Sequence, residues 1–128
     1  MPLLLDNEKY MQELIAHIIS RENVYDYFYC DSEELVTIGI GHLVDAKNKV
    51  QAEHEALRFT REHFTHLKTT TGVPVASIED VVADWRRVKE FGQKHKNSKA
   101  RRYTDVAKLR LPSEGVYKLL RKKLSLSS

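Results

Sequence analysis

The chain begins with an apolar stripe of helical spacing between residues 6 and 21. Its members are Tyr10, Met11, Leu14, Ile15, Ile18 and Ile19. Because they recur every four residues, they lie on one face of an α-helix, and Asp6 or Asn7 can cap its start. The pattern therefore predicts a first helix that ends just before Glu22.

After this helix the pattern changes to that of two strands. One strand alternates Tyr25, Tyr27 and Tyr29 with Asp26, Phe28 and Cys30. A second β-prone run covers residues 35–40, and residues 31–34 can form a tight turn between the two. The pattern predicts an antiparallel hairpin that forms one small sheet between Val24 and Gly41.

The rest of the chain alternates helical patterns with loops. Residues 50–67 have one apolar face, which is typical of an amphipathic helix. Ser77 begins a capping-box-like start of another helix, which we expect Gly92 to end. Residues 93–102 are basic and read as a loop, and Ser113 begins a last helix. The sequence thus predicts a mainly helical α+β domain with one small antiparallel hairpin sheet.

Composition predicts a single soluble globular domain. The chain has 128 residues, of which 41% are hydrophobic and 30% are charged, so its core is modest. No stretch is long enough to span a membrane. The apolar start at residues 2–5 is followed at once by Asp6 and lacks the length and basic residues of a secretory signal. We therefore expect synthesis in the cytoplasm without a signal peptide.

Two single residues carry predictions of their own. Cys30 is the only cysteine, so no internal disulfide can form, and we expect its thiol to be buried beside the turn. Trp85 lies on the apolar stripe of the helix that starts after Ser77. It could stack on a ligand, but its place on the stripe favours the core.

Charge is distributed unevenly along the chain. Residues 1–85 contain 7 Lys and Arg against 15 Asp and Glu, whereas residues 86–128 contain 14 against 3. A basic segment suits anionic polymers, either nucleic acid or the carboxylates and phosphates of a cell wall, and it is equally consistent with a solvated face. Only Phe91, Tyr103 and Tyr117 supply aromatic rings in this segment, which disfavours nucleic acid.

The predicted hairpin brings three chemically useful side chains towards one hollow. Glu22 follows the first helix, Asp31 lies at the turn, and Thr37 lies on the returning strand. Two carboxyl groups across a gap are what glycoside hydrolysis requires, one to protonate the leaving oxygen and one to stabilise charge or activate water. Gly39 and Gly41 leave one strand face bare, where a polymer could lie or a neighbouring backbone could pack.

The run Glu-x8-Asp-x5-Thr-Ile-Gly-x-Gly-His, with a Tyr two residues before the Asp, resembles the catalytic signature of the phage-type lysozymes, glycoside hydrolase family 24. The resemblance implies a muramidase that cleaves the β-1,4 bond between N-acetylmuramic acid and N-acetylglucosamine in peptidoglycan, without a cofactor. It implies that Glu22 is the general acid, Asp31 the partner carboxylate, and Thr37 the hydroxyl that places water. His42 matches the family's structural histidine.

Gly39, Gly41 and His42 are predicted as substrate-binding positions. Two residues depart from the family pattern, since Asn23 and Glu34 stand where Gly is usual. Asn tolerates a left-handed backbone, whereas Glu does not, so we expect the turn at Glu34 to differ in shape.

The resemblance divides the single lysozyme-like domain, residues 1–128, into three parts. Residues 6–43 form the catalytic helix and hairpin, residues 45–110 are an insertion, and residues 111–128 form a helix that would lead into the family's second lobe. The chain ends where that lobe would follow. It is therefore expected to be part of a longer protein, to use its insertion as the second wall, or to bind without cutting.

If the insertion is that wall, its helix over residues 78–91 should pack near the hairpin, and the basic loop should follow the cleft rim. The alternative is that the insertion packs away from the cleft. The function predicted is a peptidoglycan hydrolase, and the alternative is a non-catalytic peptidoglycan-binding domain or a fragment of a longer antibacterial hydrolase.

The resemblance also sets the expected partners and location. The family fold includes phage endolysins, bacteriocins and secreted antibacterial effectors, so the partners are glycan strands and an immunity protein or C-terminal partner segment. Neither a membrane nor nucleic acid is expected as a partner. The chain would reach the periplasmic cell wall after phage lysis or through a secretion system. A metal site at His54, His63 and His66 is not expected, because no carboxylate or thiolate stands at ligand spacing.

Overall fold

A computed structural model describes the backbone of residues 4–127 and the side chains of residues 8–124. The fold is α+β, as the sequence predicted. The elements in chain order are α1 (Leu4–Arg21), β1 (Tyr25–Cys30), β2 (Val36–Gly39), β3 (His42–Leu43), α2 (Lys49–His63), β4 (Lys68–Thr69), α3 (Ile78–Lys94), a 3-10 helix (Ala100–Asp105), β5 (Leu109–Arg110) and α4 (Ser113–Ser127). Within residues 4–127, no helix combines the length and apolar composition needed to cross a membrane.

The first helix confirms the apolar stripe but not its cap. Helix α1 begins at Leu4, so Asp6 and Asn7 lie inside it and neither can cap its start. Of the stripe, Ile15 is fully buried, while Tyr10 remains 63% exposed. The helix packs on α4, and Arg121 of α4 makes an ion pair with Glu8.

The predicted hairpin is present and gains a third strand. Strands β1, β2 and β3 form one antiparallel sheet in that order. Tyr29 pairs with Thr37 and Cys30 pairs with Val36, and the register shifts between Tyr25 and Tyr29. A bulge of this kind adds twist to the edge strand.

A second, two-stranded sheet joins segments that are distant in sequence. Strand β4 pairs antiparallel with β5, so that Lys68 lies opposite Arg110 and Thr69 opposite Leu109. The chain then connects to the first sheet, because the Leu111 N–H donates to the Asp26 carbonyl at 2.6 Å. The two ends of the segment between β4 and β5 are thereby held beside β1.

Helix α3 packs on the hairpin, as expected of residues 78–91. The Cys30 thiol donates to the Val88 carbonyl at 3.5 Å, and burial raises the pKa of this thiol to about 11. Cys30 is 4% exposed, which confirms that it is buried. The prediction that Gly92 ends the helix was wrong, because α3 continues to Lys94. A Cβ at Gly92 would lie 2.4 Å from Cys30 Sγ, so this glycine permits close packing instead.

The contact with α3 lies on one particular face of the sheet. Successive side chains of a strand point to opposite faces, so Cys30 and Val36 face away from Tyr29 and Thr37. Helix α3 and the 3-10 helix, through Tyr103, cover the Cys30 face. This favours the arrangement in which the segment packs away from the predicted cleft, and the 3-10 helix includes the last residues of the basic loop.

Two buried carboxylates, which the sequence did not reveal, fix the connections between elements. Asp45 accepts hydrogen bonds from the Val36 and Ala46 N–H groups at 2.8 and 2.7 Å and pairs with Lys89 at 2.8 Å. Asp84 accepts from the backbone of Lys108 and Leu109. These carboxylates attach β2 and β5 to α3.

Other local predictions about the middle of the chain are confirmed. The Ser77 hydroxyl accepts from the Asp80 N–H at 3.2 Å and caps α3. Trp85 is 4% exposed and its indole N–H donates to the Val44 carbonyl at 2.6 Å, so it belongs to the core.

Candidate active site on the three-stranded sheet

Asp31 is held rigidly in the hairpin turn. Its Oδ1 accepts hydrogen bonds from the N–H groups of Glu33 and Leu35, at 2.8 and 3.0 Å. The backbone closes the same turn, since the Asp31 N–H donates to the Leu35 carbonyl at 2.9 Å. No described residue donates to Oδ2. One oxygen of Asp31 therefore maintains the turn, and the other is available for a substrate or water.

Glu34 takes the backbone conformation that the sequence predicted it would avoid. Its φ is +59°, in the left-handed region where a residue other than Gly or Asn is strained by about 1–2 kcal/mol. The premise that Glu34 would avoid the left-handed region was therefore wrong. The bonds made by Asp31 in the same turn offset this strain. Asn23 has a negative φ and does not use the tolerance of Asn for the left-handed region.

A row of side chains crosses the sheet. Tyr29 of β1, Thr37 of β2 and Leu43 of β3 lie opposite one another in register. Asp31 follows β1 directly and lies in the turn, where its carboxylate accepts from the Glu33 and Leu35 N–H groups. The structure therefore places Thr37 in the row and Asp31 in the turn that joins β1 to β2.

Thr37 is more enclosed than its predicted role suggests. It is 3% exposed, and its hydroxyl donates to the Leu35 carbonyl at 3.0 Å. With its proton committed, the hydroxyl oxygen can still accept a hydrogen bond from water. Tyr29 is half-buried, and burial raises its pKa while the nearby Gly41 backbone opposes the rise.

Glu22 lies at the other end of β1 from Asp31. It follows α1 directly, and its N–H donates to the Ile18 carbonyl at 2.9 Å. The side chain is exposed, and its carboxylate makes no hydrogen bond or ion pair with any described residue. No bond therefore links Glu22 to Asp31 or Thr37 in the part of the chain that the structure describes.

The two predicted glycines have different surroundings. Both have φ of +70°, which favours Gly at each position. A Cβ at Gly39 would lie 3.5 Å from Leu119 Cδ1, so this glycine faces α4. A Cβ at Gly41 would meet no atom within 4 Å. Of the two, only Gly41 presents an open backbone.

Gly41 and His42 border a groove of about 300 Å³ between β3, α2 and α4. Its other lining residues are Leu43, Glu55, Arg58, Phe59, Glu62, Leu119, Lys122 and Lys123. Leu43 is 47% exposed and connects the groove to the row that contains Thr37. Burial lowers the pKa of His42. The sequence did not predict this groove, because its walls come from three separate elements.

Behind the groove lies a buried histidine without hydrogen bonds. His63 is 1% exposed, and neither ring nitrogen has a partner among the described residues. Its Nε2 is 3.9 Å from Glu62 Oε2. Burial, assisted by the positive charge of Lys118, lowers the His63 pKa to about 4. Within the described side chains, no group of three His, Cys, Asp or Glu could hold a metal.

The buried His63 predicts a loss of stability in mild acid. Below pH 6.5 the unfolded chain binds a proton at His63, whereas the folded chain does so only near pH 4. The free energy of unfolding should therefore fall by about 2 kcal/mol between pH 7 and pH 5 from this residue alone. Urea unfolding at the two pH values measures it.

A matched pair of variants isolates this contribution. His63→Phe keeps an aromatic ring against Phe59 and should remove the part of the pH dependence that His63 contributes, while exposed His54→Gln should leave the pH dependence unchanged. An equal pH dependence in His63→Phe and the unaltered protein would assign the effect to other groups.

Comparison of the chain with protein-family models, with curated proteins and with solved structures found no match. The structural observations on function are therefore those of this chain alone. They are the Asp31 turn, the row through Thr37, the exposed Glu22 and the groove beyond Gly41.

Proposed function

We propose that this chain is a peptidoglycan hydrolase of the lysozyme type, which cleaves the β-1,4 bond between N-acetylmuramic acid and N-acetylglucosamine. The observation that carries the proposal is the fixed turn at Asp31, with Thr37 on the strand that follows it and Glu22 directly after α1. The residue spacing that resembles the phage-type lysozymes supports it.

The proposed roles follow from the hydrogen bonds of each group. Glu22 is exposed and unpaired among the described residues, so its carboxylic acid can approach a glycosidic oxygen and protonate it. Asp31 presents Oδ2 to the anomeric carbon or to a water that attacks it. Thr37 accepts a hydrogen bond from that water through its hydroxyl oxygen.

A path for the glycan strand follows from the row across the sheet. The glycan strand would pass Tyr29 and reach the open backbone of Gly41, with Leu43 at the mouth of the groove. The Tyr29 ring offers a flat apolar face for a sugar ring, and Leu43 adds aliphatic surface beside it. No cofactor takes part. The chain would act at the cell wall, which it would reach after phage lysis or secretion. Its partner besides the glycan would be an immunity protein or a partner segment.

The exposure of Glu22 favours a second candidate function. Glycosidase acids commonly lie in apolar pockets with little water, and the described residues do not enclose Glu22 in this way. A glycan-binding domain without hydrolysis, or part of a larger hydrolase whose other part covers Glu22, would fit this exposure.

One assay on purified peptidoglycan separates these possibilities. Clearing of a turbid suspension with release of soluble fragments supports the hydrolase. Sedimentation of the protein with peptidoglycan that stays turbid supports the binding domain. If the protein neither clears the suspension nor sediments with the peptidoglycan, the proposal fails.

Asp31→Asn should separate the catalytic role of Asp31 from its structural role. The amide oxygen can still accept from the Glu33 and Leu35 N–H groups, so the midpoint of thermal unfolding should change little. The loss of charge should lower the rate of peptidoglycan clearing by about 10²-fold or more, since such carboxylates stabilise charge in the transition state. Thr37→Ala should reduce the rate less.

The matched control is Asp26→Asn on the preceding strand, because Asp26 is exposed. The rate of peptidoglycan clearing and the midpoint of thermal unfolding are measured for both variants. Equal clearing rates in the two variants would remove Asp31 from the proposed mechanism.

A further inference from the structure

Two tyrosines of β1 form an aromatic pair on the three-stranded sheet. Tyr25 lies opposite Gly39 of β2, and Tyr29 lies opposite Thr37, two residues earlier on the same strand. The two rings are in contact, with centroids 4.9 Å apart and planes at 61°, which is the edge-to-face arrangement that aromatic pairs prefer. This contact places both rings on one surface of the sheet, here called the tyrosine pair.

The irregular register of β1 accounts for this contact. The pairing of β1 with β2 shifts between Tyr25 and Tyr29. A bulge bends its strand and re-aims the side chains beside it, and bulges are frequent next to functional sites. The bulge in β1 thus allows two rings that are four residues apart in the sequence to meet.

Tyr25 is held in place by its neighbours without being covered by them. Its ring stacks on that of Tyr27, with centroids 5.9 Å apart, and it also contacts Tyr29. Tyr27 is 4% exposed and lies under the guanidinium of Arg110, whereas Tyr25 remains partly exposed. The Tyr25 hydroxyl makes no hydrogen bond with any described residue. Tyr25 therefore offers a ligand an oriented ring and an unengaged hydroxyl.

Tyr29 extends the pair towards the proposed path of the glycan. Its ring is also partly exposed, and its hydroxyl lies close enough to the Gly41 backbone for that backbone to oppose the rise in its pKa. The Tyr29 ring thus reaches from β1 over β2 to the turn before β3. The tyrosine pair is therefore continuous with the open backbone of Gly41.

The pair also lies between the two proposed carboxyl groups along the chain. Glu22 comes three residues before Tyr25, and Asp31 comes two residues after Tyr29. A tyrosine ring provides an apolar face, and its hydroxyl both donates and accepts hydrogen bonds. A pyranose ring has the matching chemistry, with C–H groups on its face and polar groups at its rim.

We infer that the tyrosine pair is the subsite for one N-acetylhexosamine ring of the glycan strand, and that Tyr25 determines how tightly this ring is held. The sugar face packs on the Tyr25 ring, and the Tyr25 hydroxyl forms a hydrogen bond with a polar group of the same sugar. Tyr25 makes and breaks no covalent bond. The inference rests on the proposed function for the choice of ligand.

The test measures binding of a chitin-type oligosaccharide to a Glu22→Gln protein by titration calorimetry, so that hydrolysis does not consume the ligand. Tyr25→Ala should weaken binding about 10-fold, because it removes both the ring and the hydroxyl. Tyr25→Phe keeps the ring and should recover most of the affinity. Parental affinity in Tyr25→Ala, or no binding by the Glu22→Gln protein itself, would overturn the inference.

Two further variants separate the loss of a ligand contact from a loss of structure. Tyr25→Leu keeps an apolar side chain on β1, so it should fold even if Tyr25→Ala does not, and it should still bind about 10-fold more weakly than the parent. Tyr10→Ala removes a ring that is 63% exposed on α1 and should bind as the parent does. Equal weakening in Tyr10→Ala and Tyr25→Leu would overturn the inference. The unfolding midpoint of each variant is measured alongside.

Kinetics with Glu22 intact keep this inference distinct from the proposed function. On soluble peptidoglycan fragments, Tyr25→Leu should raise KM about 10-fold and leave kcat nearly unchanged, as the loss of uniform binding does. If the parent hydrolyses these fragments and Tyr25→Leu has the same KM, the inference alone fails. If the parent hydrolyses no glycan but binds the oligosaccharide in a manner that depends on Tyr25, the proposed function alone fails.

Discussion

Glu22→Gln should abolish peptidoglycan clearing, with a loss of rate of about 10²- to 10⁴-fold, the usual contribution of general acid catalysis. The substitution keeps the size of the side chain and removes its acidic proton. Because the Glu22 carboxylate makes no hydrogen bond or ion pair with any described residue, the fold should not change. The rate of clearing and the unfolding midpoint are measured together.

The control for this variant is Glu13→Gln, an exposed carboxylate on the same helix. It should leave the rate unchanged, and binding of chitin-type oligosaccharides should survive in both variants. Activity retained in Glu22→Gln would refute the assignment of Glu22 as the acid.

Asp45→Ala should lower the free energy of unfolding by about 3–5 kcal/mol, the usual cost of removing one partner of a buried ion pair. The change leaves the buried Val36 N–H without its acceptor and Lys89 without its counter-charge. Since Val36 precedes Thr37 on β2, the region around Thr37 should also lose its order at a lower temperature than in the unaltered protein. Urea unfolding monitored by the fluorescence of Trp85 measures the effect.

Asp105→Ala is the control, because Asp105 is exposed and lies at the end of the 3-10 helix. It should change stability by no more than about 0.5 kcal/mol, as is usual for surface positions. Equal losses for the two variants would show that the buried contacts of Asp45 contribute nothing measurable.

Local patterns were sufficient to predict the parts of the fold that depend on neighbouring residues. The apolar spacing gave α1, the alternation of tyrosines gave β1, and the hydroxyl of Ser77 gave the start of α3. Each of these elements is determined by residues within one helical turn or one pair of strands. The tight turn between β1 and β2, which contains Asp31, is likewise local.

Features that depend on distant contacts were not predictable. Gly92 resembled a helix stop, but its role is set by Cys30, which belongs to another element. The burial of Asp45 had no signal in the sequence, because its partner Lys89 lies 44 positions away. Strands β4 and β5 are too short to show any periodicity. The groove beyond Gly41 and the unpaired nitrogens of His63 likewise arise only from packing.

The sugar at the new reducing end tests the central claim most directly. After digestion of purified peptidoglycan, borohydride reduces each new end, and mass spectrometry of the fragments identifies the reduced sugar. Cleavage between N-acetylmuramic acid and N-acetylglucosamine predicts reduced muramic acid, formed by the unaltered protein and absent with Glu22→Gln. Reduced glucosamine at the new ends, or muramic acid ends that persist in Glu22→Gln, would contradict it.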